Sequence, residues 1–126
     1  GMEEVLAALA ARQLPWGIVT NKVARFTDPL LEALGLASQA ACVVSADTTA
    51  YAKPHPEPVR HALALCQVAP EYACLVGDDE RDIQAGRAAG VRTIGAGFGY
   101  LGCETPPERW GADAWIDSPQ ALLKLI

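Results

Sequence analysis

The stretch Ala73-Cys74-Leu75-Val76-Gly77-Asp78-Asp79-Glu80-Arg81-Asp82 decides the architecture. An unalternating apolar run reads as a short strand buried on both faces. Gly77 lets the chain turn tightly after it. The acids that follow suit the first turn of a helix, where they favour its dipole. That helix is expected over Glu80–Ala89, stopping at Gly90, and Val91–Ala96 reads as the next strand. Apolar strands separated by one helix mean parallel neighbours with the helix packed across them.

The alternation continues towards both ends. Met2–Gln13 places Val5, Leu6, Leu9 and Ala10 on one helical face, and Pro15 ends it. Trp16–Thr20 is a strand, Ala24–Leu34 a helix with Gly35 at C′, and Ala41–Ser45 another strand. Pro29 implies an irregular first turn in its helix, or a start near Pro29 itself. Asp47–Pro58 is a polar, proline-rich loop, and Glu57–Gln67 is a helix with Val59, Leu63 and Cys66 facing inward. Ala114–Ile116 is the last strand, and Asp117 or Ser118 is expected to cap a final helix, Pro119–Leu125. The expected fold is one α/β domain over residues 1–126, a Rossmann-like three-layer α/β/α sandwich with a mainly parallel sheet. Right-handed crossovers bring the strand C-termini to one edge, where such sheets bind ligands.

Composition narrows the function classes. Hydrophobic residues make up 51% and charged residues 20% of the 126, which fits a globular chain and excludes a disordered tail. The net charge of −5 argues against nonspecific partnership with nucleic acid or an anionic membrane. No apolar run approaches the about 18 residues of a membrane span, and the opening GMEEVLAALAARQ lacks the basic n-region of a signal peptide. Cys42, Cys66, Cys74 and Cys103 show no CxxC spacing, so they read as small hydrophobes of a cytoplasmic protein, not a zinc site. Cys103, in a glycine-rich loop, is the one thiol expected to be exposed.

Three polar groups follow strands and therefore share the ligand-binding edge. Thr20 and Asn21 offer a hydroxyl and backbone N–H groups suited to phosphate oxygens, though the same residues also serve as helix caps. Lys53 lies in Ala52-Lys53-Pro54-His55-Pro56-Glu57-Pro58, where prolines stiffen the loop and would position the ammonium to neutralise phosphate, though a lone lysine also reads as a solvated surface residue. Asp78, Asp79, Glu80 and Asp82 crowd a single strand end. Helix capping accounts for Asp79 and Glu80, whereas Asp78 and Asp82 call for a cation such as Mg²⁺, which takes hard oxygen ligands. His55 and His61 read as loop and structural histidines, and no GxSxG elbow is present. Gly95-Ala96-Gly97-Phe98-Gly99 opens no helix, so it reads as a loop beside the edge and not as a dinucleotide site. Trp110 and Trp115 read as packing residues.

In order and spacing, Val19-Thr20-Asn21-Lys22, Lys53-Pro54-His55-Pro56 and Gly77-Asp78 with Asp82 resemble motifs II, III and IV of the haloacid dehalogenase (HAD) superfamily. The resemblance covers nearly the whole chain and leans towards phosphoglycolate phosphatase-like enzymes. Arg25-Phe26, Gly86-Arg87-Ala88-Ala89-Gly90 and Trp110-Gly111-Ala112-Asp113 are similar to the bacterial branch that includes N-acetylmuramic acid 6-phosphate phosphatase. The resemblance implies Mg²⁺-dependent hydrolysis of a small phosphorylated metabolite, phosphoglycolate or a sugar phosphate. It implies that Thr20 and the Asn21 backbone bind the phosphoryl group and that Lys53 neutralises it. It further implies Asp78 and Asp82 at the metal, with Asp82 orienting a metal-bound water or Lys53, and Asp79 behind them.

The family's nucleophile and general acid belong to a DxDxT motif on a central first strand. The 126 residues contain no DxDxT. The chain is therefore expected to be the C-terminal part of a longer phosphatase, a HAD core lacking its first strand, and inactive alone. Trp16–Thr20 and Ala73–Val76 would then flank a gap. Its expected resolutions are direct pairing, filling by another chain in a non-physiological self-association, or non-covalent retention of the missing piece. The alternative reading is a noncatalytic α/β module that binds phosphate, metal or a protein.

Overall fold

The computed structural model describes residues 1–99, 101 and 105–126. Its helices are α1 (Met2–Ala11), α2 (Ala24–Ala33), α3 (Glu57–Cys66) and α4 (Glu80–Ala89). Its strands are β1 (Gly17–Val19), β2 (Cys42–Val44), β3 (Cys74–Gly77), β4 (Arg92–Ala96) and β5 (Ala114–Ile116). Pro70–Tyr72, Pro107–Arg109 and Pro119–Lys124 form 3₁₀ segments. The cysteine expected to be exposed, Cys103, lies outside the described residues.

Every strand pair is parallel, as unalternating apolar strands require. The pairs divide into a β1-β2 sheet and a β3-β4-β5 sheet. Direct pairing of β1 with β3, one of the expected resolutions of the gap, does not occur among the described residues. Side chains join the halves instead. Val59 and Leu63 of α3 share a cluster with Ala85 and Ala89 of α4, Val19 of β1 and Leu75 of β3. On the other face, Val5 and Leu9 of α1 meet Ile94, Ile116 and Leu122, with Trp16 and Val76 beside them. Adjacent Leu75 and Val76 thus serve opposite faces, the period-two rule of a strand. Helices cover both sheet faces, which gives the three-layer sandwich.

Some local expectations change. Helix α2 begins at Ala24 and runs through Pro29 without restarting there. The price is one absent N–H in its ladder. Asp47 Oδ1 accepts the Ala24 N–H at 2.9 Å, capping α2 from a distant loop. The C-terminal segment is 3₁₀ and not α. Ser118 supplies no side-chain cap, and Asp117 Oδ1 instead accepts the Trp115 indole N–H at 3.1 Å. Cys74 is exposed, contrary to the buried reading, at the start of a strand paired along one edge only. Trp110 is buried, whereas Trp115 remains 40% exposed while its ring lies over Gly95 and Gly97. Gly35 and Gly90 adopt φ of 68° and 82°, the left-handed conformation that ends α2 and α4.

One carboxylate holds β4 to the segment entering β5. Asp113 Oδ2 accepts the Thr93 N–H at 2.7 Å and its hydroxyl at 3.0 Å, while the Asp113 N–H donates to the Thr93 carbonyl at 2.9 Å. The Thr93 amide, followed by its hydroxyl, holds the Asp113 pKa below the usual 3.8. A carboxyl lowered on folding stabilises the native state above its unfolded pKa and loses that contribution as pH falls through its folded pKa. Because Asp113 is exposed and its charge is screened by water, Asp113→Ala should destabilise the chain by less than about 1 kcal/mol at neutral pH, with the difference from wild type shrinking below pH 3.8. Urea melts of both proteins across that range would check it.

Candidate functional site

The ammonium of Lys53 lies between the two sheets' strand ends. Its Nζ donates to the Val19 carbonyl at the end of β1 at 2.7 Å and to Asp82 Oδ1 in the first turn of α4 at 2.5 Å. Both side chains of this ion pair are 10% exposed. Desolvating two charges is costly, and extra hydrogen bonds must offset it. Here the Val19 carbonyl takes a second ammonium proton, and Asp82 Oδ2 accepts the Asp79 N–H at 3.2 Å.

Sequence chemistry places each partner. Asn21 clamps the lysine loop twice: its Nδ2 donates to the Lys53 carbonyl at 2.8 Å, and its Oδ1 accepts the Lys53 N–H at 3.0 Å. Beyond the prolines, His55 Nδ1 accepts the Glu57 N–H at 3.0 Å, and its ring stacks on Tyr51 with centroids 4.5 Å apart. His55 is thus tied to the start of α3. Asp79 and Asp82 form a reciprocal capping box at the start of α4. Asp79 also chelates Arg81, accepting from Nε at 2.9 Å and Nη2 at 3.0 Å. Arg81, ahead of the smaller contribution of Lys53, holds the Asp79 carboxyl below the usual carboxylate range.

Asn21, Lys53, Asp78, Asp79, Arg81 and Asp82 line one open cleft of about 200 Å³. Five of these are the residues singled out from the sequence. Thr20 stands beside them without lining the cleft. Its N–H donates to the Val44 carbonyl at 2.9 Å, and its hydroxyl accepts the Lys22 N–H at 3.1 Å. Arg81 was missed, although it sits inside the acidic run. Nothing in the spacing distinguishes a cap-bound arginine turned to the cleft from a solvated one. Gly99 stands so close to Asp78 that a Cβ there would strike its side chain. That agrees with reading the glycine-rich segment as a loop beside this edge.

The donor set fits Mg²⁺ as a partial shell. Mg²⁺ is often held by one or two carboxylates, with water and phosphate completing its octahedron. Among the described residues no group of three or more His, Cys, Asp or Glu is placed to hold a metal ion. Both Asp82 oxygens accept protein hydrogen bonds, from Lys53 and from the Asp79 amide. Asp78 lines the same cleft, and Asp82 acts here on Lys53.

Gly77 has a different reason from tight turning. It is not among the glycines of positive φ, but a Cβ on it would collide with the Asp82 carboxylate. Gly77→Ala should destabilise the chain by about 1–3 kcal/mol. In an Asp82→Gly background, which removes the Cβ as well as the carboxylate that a Gly77 Cβ would strike, the same change should cost far less, because the obstructing side chain is gone. A double-mutant cycle by urea denaturation measures this. Equal costs in both backgrounds would contradict the assignment.

Comparison with known proteins places the chain in a family. Residues 1–96 match the family model for haloacid dehalogenase-like hydrolases. N-acetylmuramic acid 6-phosphate phosphatase of Pseudomonas putida is 43% identical over 126 residues, covering 100% of this chain and 56% of that protein. A phosphoglycolate phosphatase of Xylella fastidiosa is 42% identical over 122 residues, covering 97% of this chain and 53% of that protein. The crystal structure of a predicted phosphoglycolate phosphatase from Haemophilus somnus superposes with a TM-score of 0.89 at 28% identity, covering 98% of this chain and 54% of that one. The chain thus spans about half the length of the curated relatives it matches. With its parallel α/β layers and its lysine–aspartate cleft, this chain belongs to the haloacid dehalogenase-like hydrolase family.

Proposed function

We propose that the chain supplies the charge-neutralising part of a Mg²⁺-dependent phosphomonoester hydrolase acting on a small phosphorylated metabolite. Phosphoglycolate and N-acetylmuramic acid 6-phosphate are the first substrates to try, because relatives at 42% and 43% identity carry those names. The observation that carries the reading is the Lys53 ammonium, fixed by Val19 and Asp82 at the rim of an acidic cleft. Fixed charge aimed at a transferring phosphoryl group stabilises its transition state without reorganisation. Lys53 neutralises the phosphate, Asp82 and Asn21 position Lys53, and the Thr20 hydroxyl with the Asn21 backbone holds phosphoryl oxygens. Asp78 ligates Mg²⁺, and Asp82 reaches it at most through water. The metal, when bound, supplies Lewis-acid polarisation of the phosphoryl oxygens.

The chain alone does not turn over in this reading, because its 126 residues hold no DxDxT to supply a nucleophile and a proton donor. A cytoplasmic setting without nucleic-acid or membrane partners belongs to the same proposal. It draws on the net charge of −5, and no described helix is long and apolar enough to cross a membrane. Association of copies through the single-paired edges of β1 and β3 would be non-physiological.

Phosphatase assays with Mg²⁺ test the reading. The 126-residue chain should hydrolyse neither substrate. A chain extended upstream in its reading frame should hydrolyse at least one, and Lys53→Ala or Asp78→Ala in it should lower kcat about a hundredfold or more. Turnover by the short chain that survives repurification and vanishes on Asp78→Ala would overturn the reading. So would an extended chain indifferent to Lys53→Ala.

A further inference from the structure

Away from the cleft, two thiols meet across an element boundary. Cys42 of β2 is 8% exposed, and Cys66, the last residue of α3, is half-buried. Their sulfurs lie 3.4 Å apart with no bond between them. Gly17 of β1 makes the room: a Cβ there would collide with the Cys42 sulfur. The pair is 24 positions apart in the chain, and the segment between holds Lys53 and its proline loop.

We propose that Cys42 and Cys66 form a peroxide-oxidisable dithiol that closes to an intrachain disulfide fastening β2 to α3. The sulfurs need only move from contact to the about 2.05 Å of a bond. The order of events follows from burial. Desolvation, with the Cys66 thiol alongside, pushes the Cys42 thiol up to about 12, so it remains protonated at neutral pH. The thiolate is the nucleophile, and Cys66 is the partner that solvent reaches. Its sulfur attacks hydrogen peroxide; an S–O bond forms, the O–O bond breaks, and hydroxide leaves with the Cys66 proton as water. Cys42, 3.4 Å away, then passes its proton to the sulfenic hydroxyl as its sulfur attacks the Cys66 sulfur. The S–S bond forms, the S–O bond breaks, and the hydroxyl departs with the Cys42 proton as a second water. Two thiols have lost two electrons and two protons, and one peroxide has taken up both.

Treatment of the folded chain with hydrogen peroxide, quenched with catalase, tests this. Titration after denaturation should show free thiols falling from four to two, with a mass loss of about 2 Da. Peptide mapping should join Cys42 to Cys66, and dithiothreitol should reverse the link. The oxidised chain should melt about 5 °C higher or more, because the bridge restrains the unfolded state. Cys66→Ala should abolish the link, and Cys42→Ala should leave Cys66 to proceed to sulfinic acid. The proposal is overturned if wild-type Cys66 reaches sulfinic acid with Cys42 still a thiol. It is equally overturned if the link involves Cys74 or Cys103, or forms only in urea.

Discussion

The site hangs on a single ammonium. Lys53 ties the last carbonyl of β1 to a carboxylate in the first turn of α4. β1 and β3, the strand that leads into α4, belong to two sheets that are not paired with each other among the described residues. Remove the lysine, and Asp82 is left largely buried without its cation, a change that typically costs about 3–5 kcal/mol. Replacing both partners by apolar groups would cost much less. The pair is therefore poor evidence of selection for stability. It makes better sense as a device for holding a positive charge at a fixed point beside other charged groups.

The surrounding residues serve that placement. Asn21 grips the backbone on either side of the lysine side chain, Asp79 gives its N–H to the second oxygen of Asp82, and Gly77 yields the space Asp82 occupies. Asp79 is in turn neutralised by Arg81. Three of the four acids in these five positions are thereby sorted into different tasks. Asp82 serves the lysine and Asp79 the helix end and the arginine, while Asp78 lines the cleft.

Much of this was legible in the sequence because the signals were local. Unalternating runs such as Ala73–Val76 gave parallel strands, and Gly35 and Gly90 marked helix ends by their need for positive φ. The convergence of Asn21, Lys53 and Asp78 followed from a topological rule, that strand C-termini share one edge. What escaped the sequence depended on distant contacts. The cap of α2 comes from Asp47, a loop away, and α2 tolerates Pro29 because tertiary packing buries Thr27 and Leu31 on either side of it. The role of Gly77 is set by a side chain five residues on, and that of Arg81 by the direction of a cap. The division into two sheets could be posed as an expectation but not decided, since no local pattern says whether two apolar edges will pair.

Amide hydrogen exchange in wild type and Lys53→Met tests the central claim most directly. The account predicts that loss of the ammonium frees Asp82, so the Asp79 amide loses protection, while Ile94 in the middle of β4 is unchanged. Undiminished protection at Asp79 in the variant would contradict it, for the lysine would then be an ornament of the cleft and not its anchor.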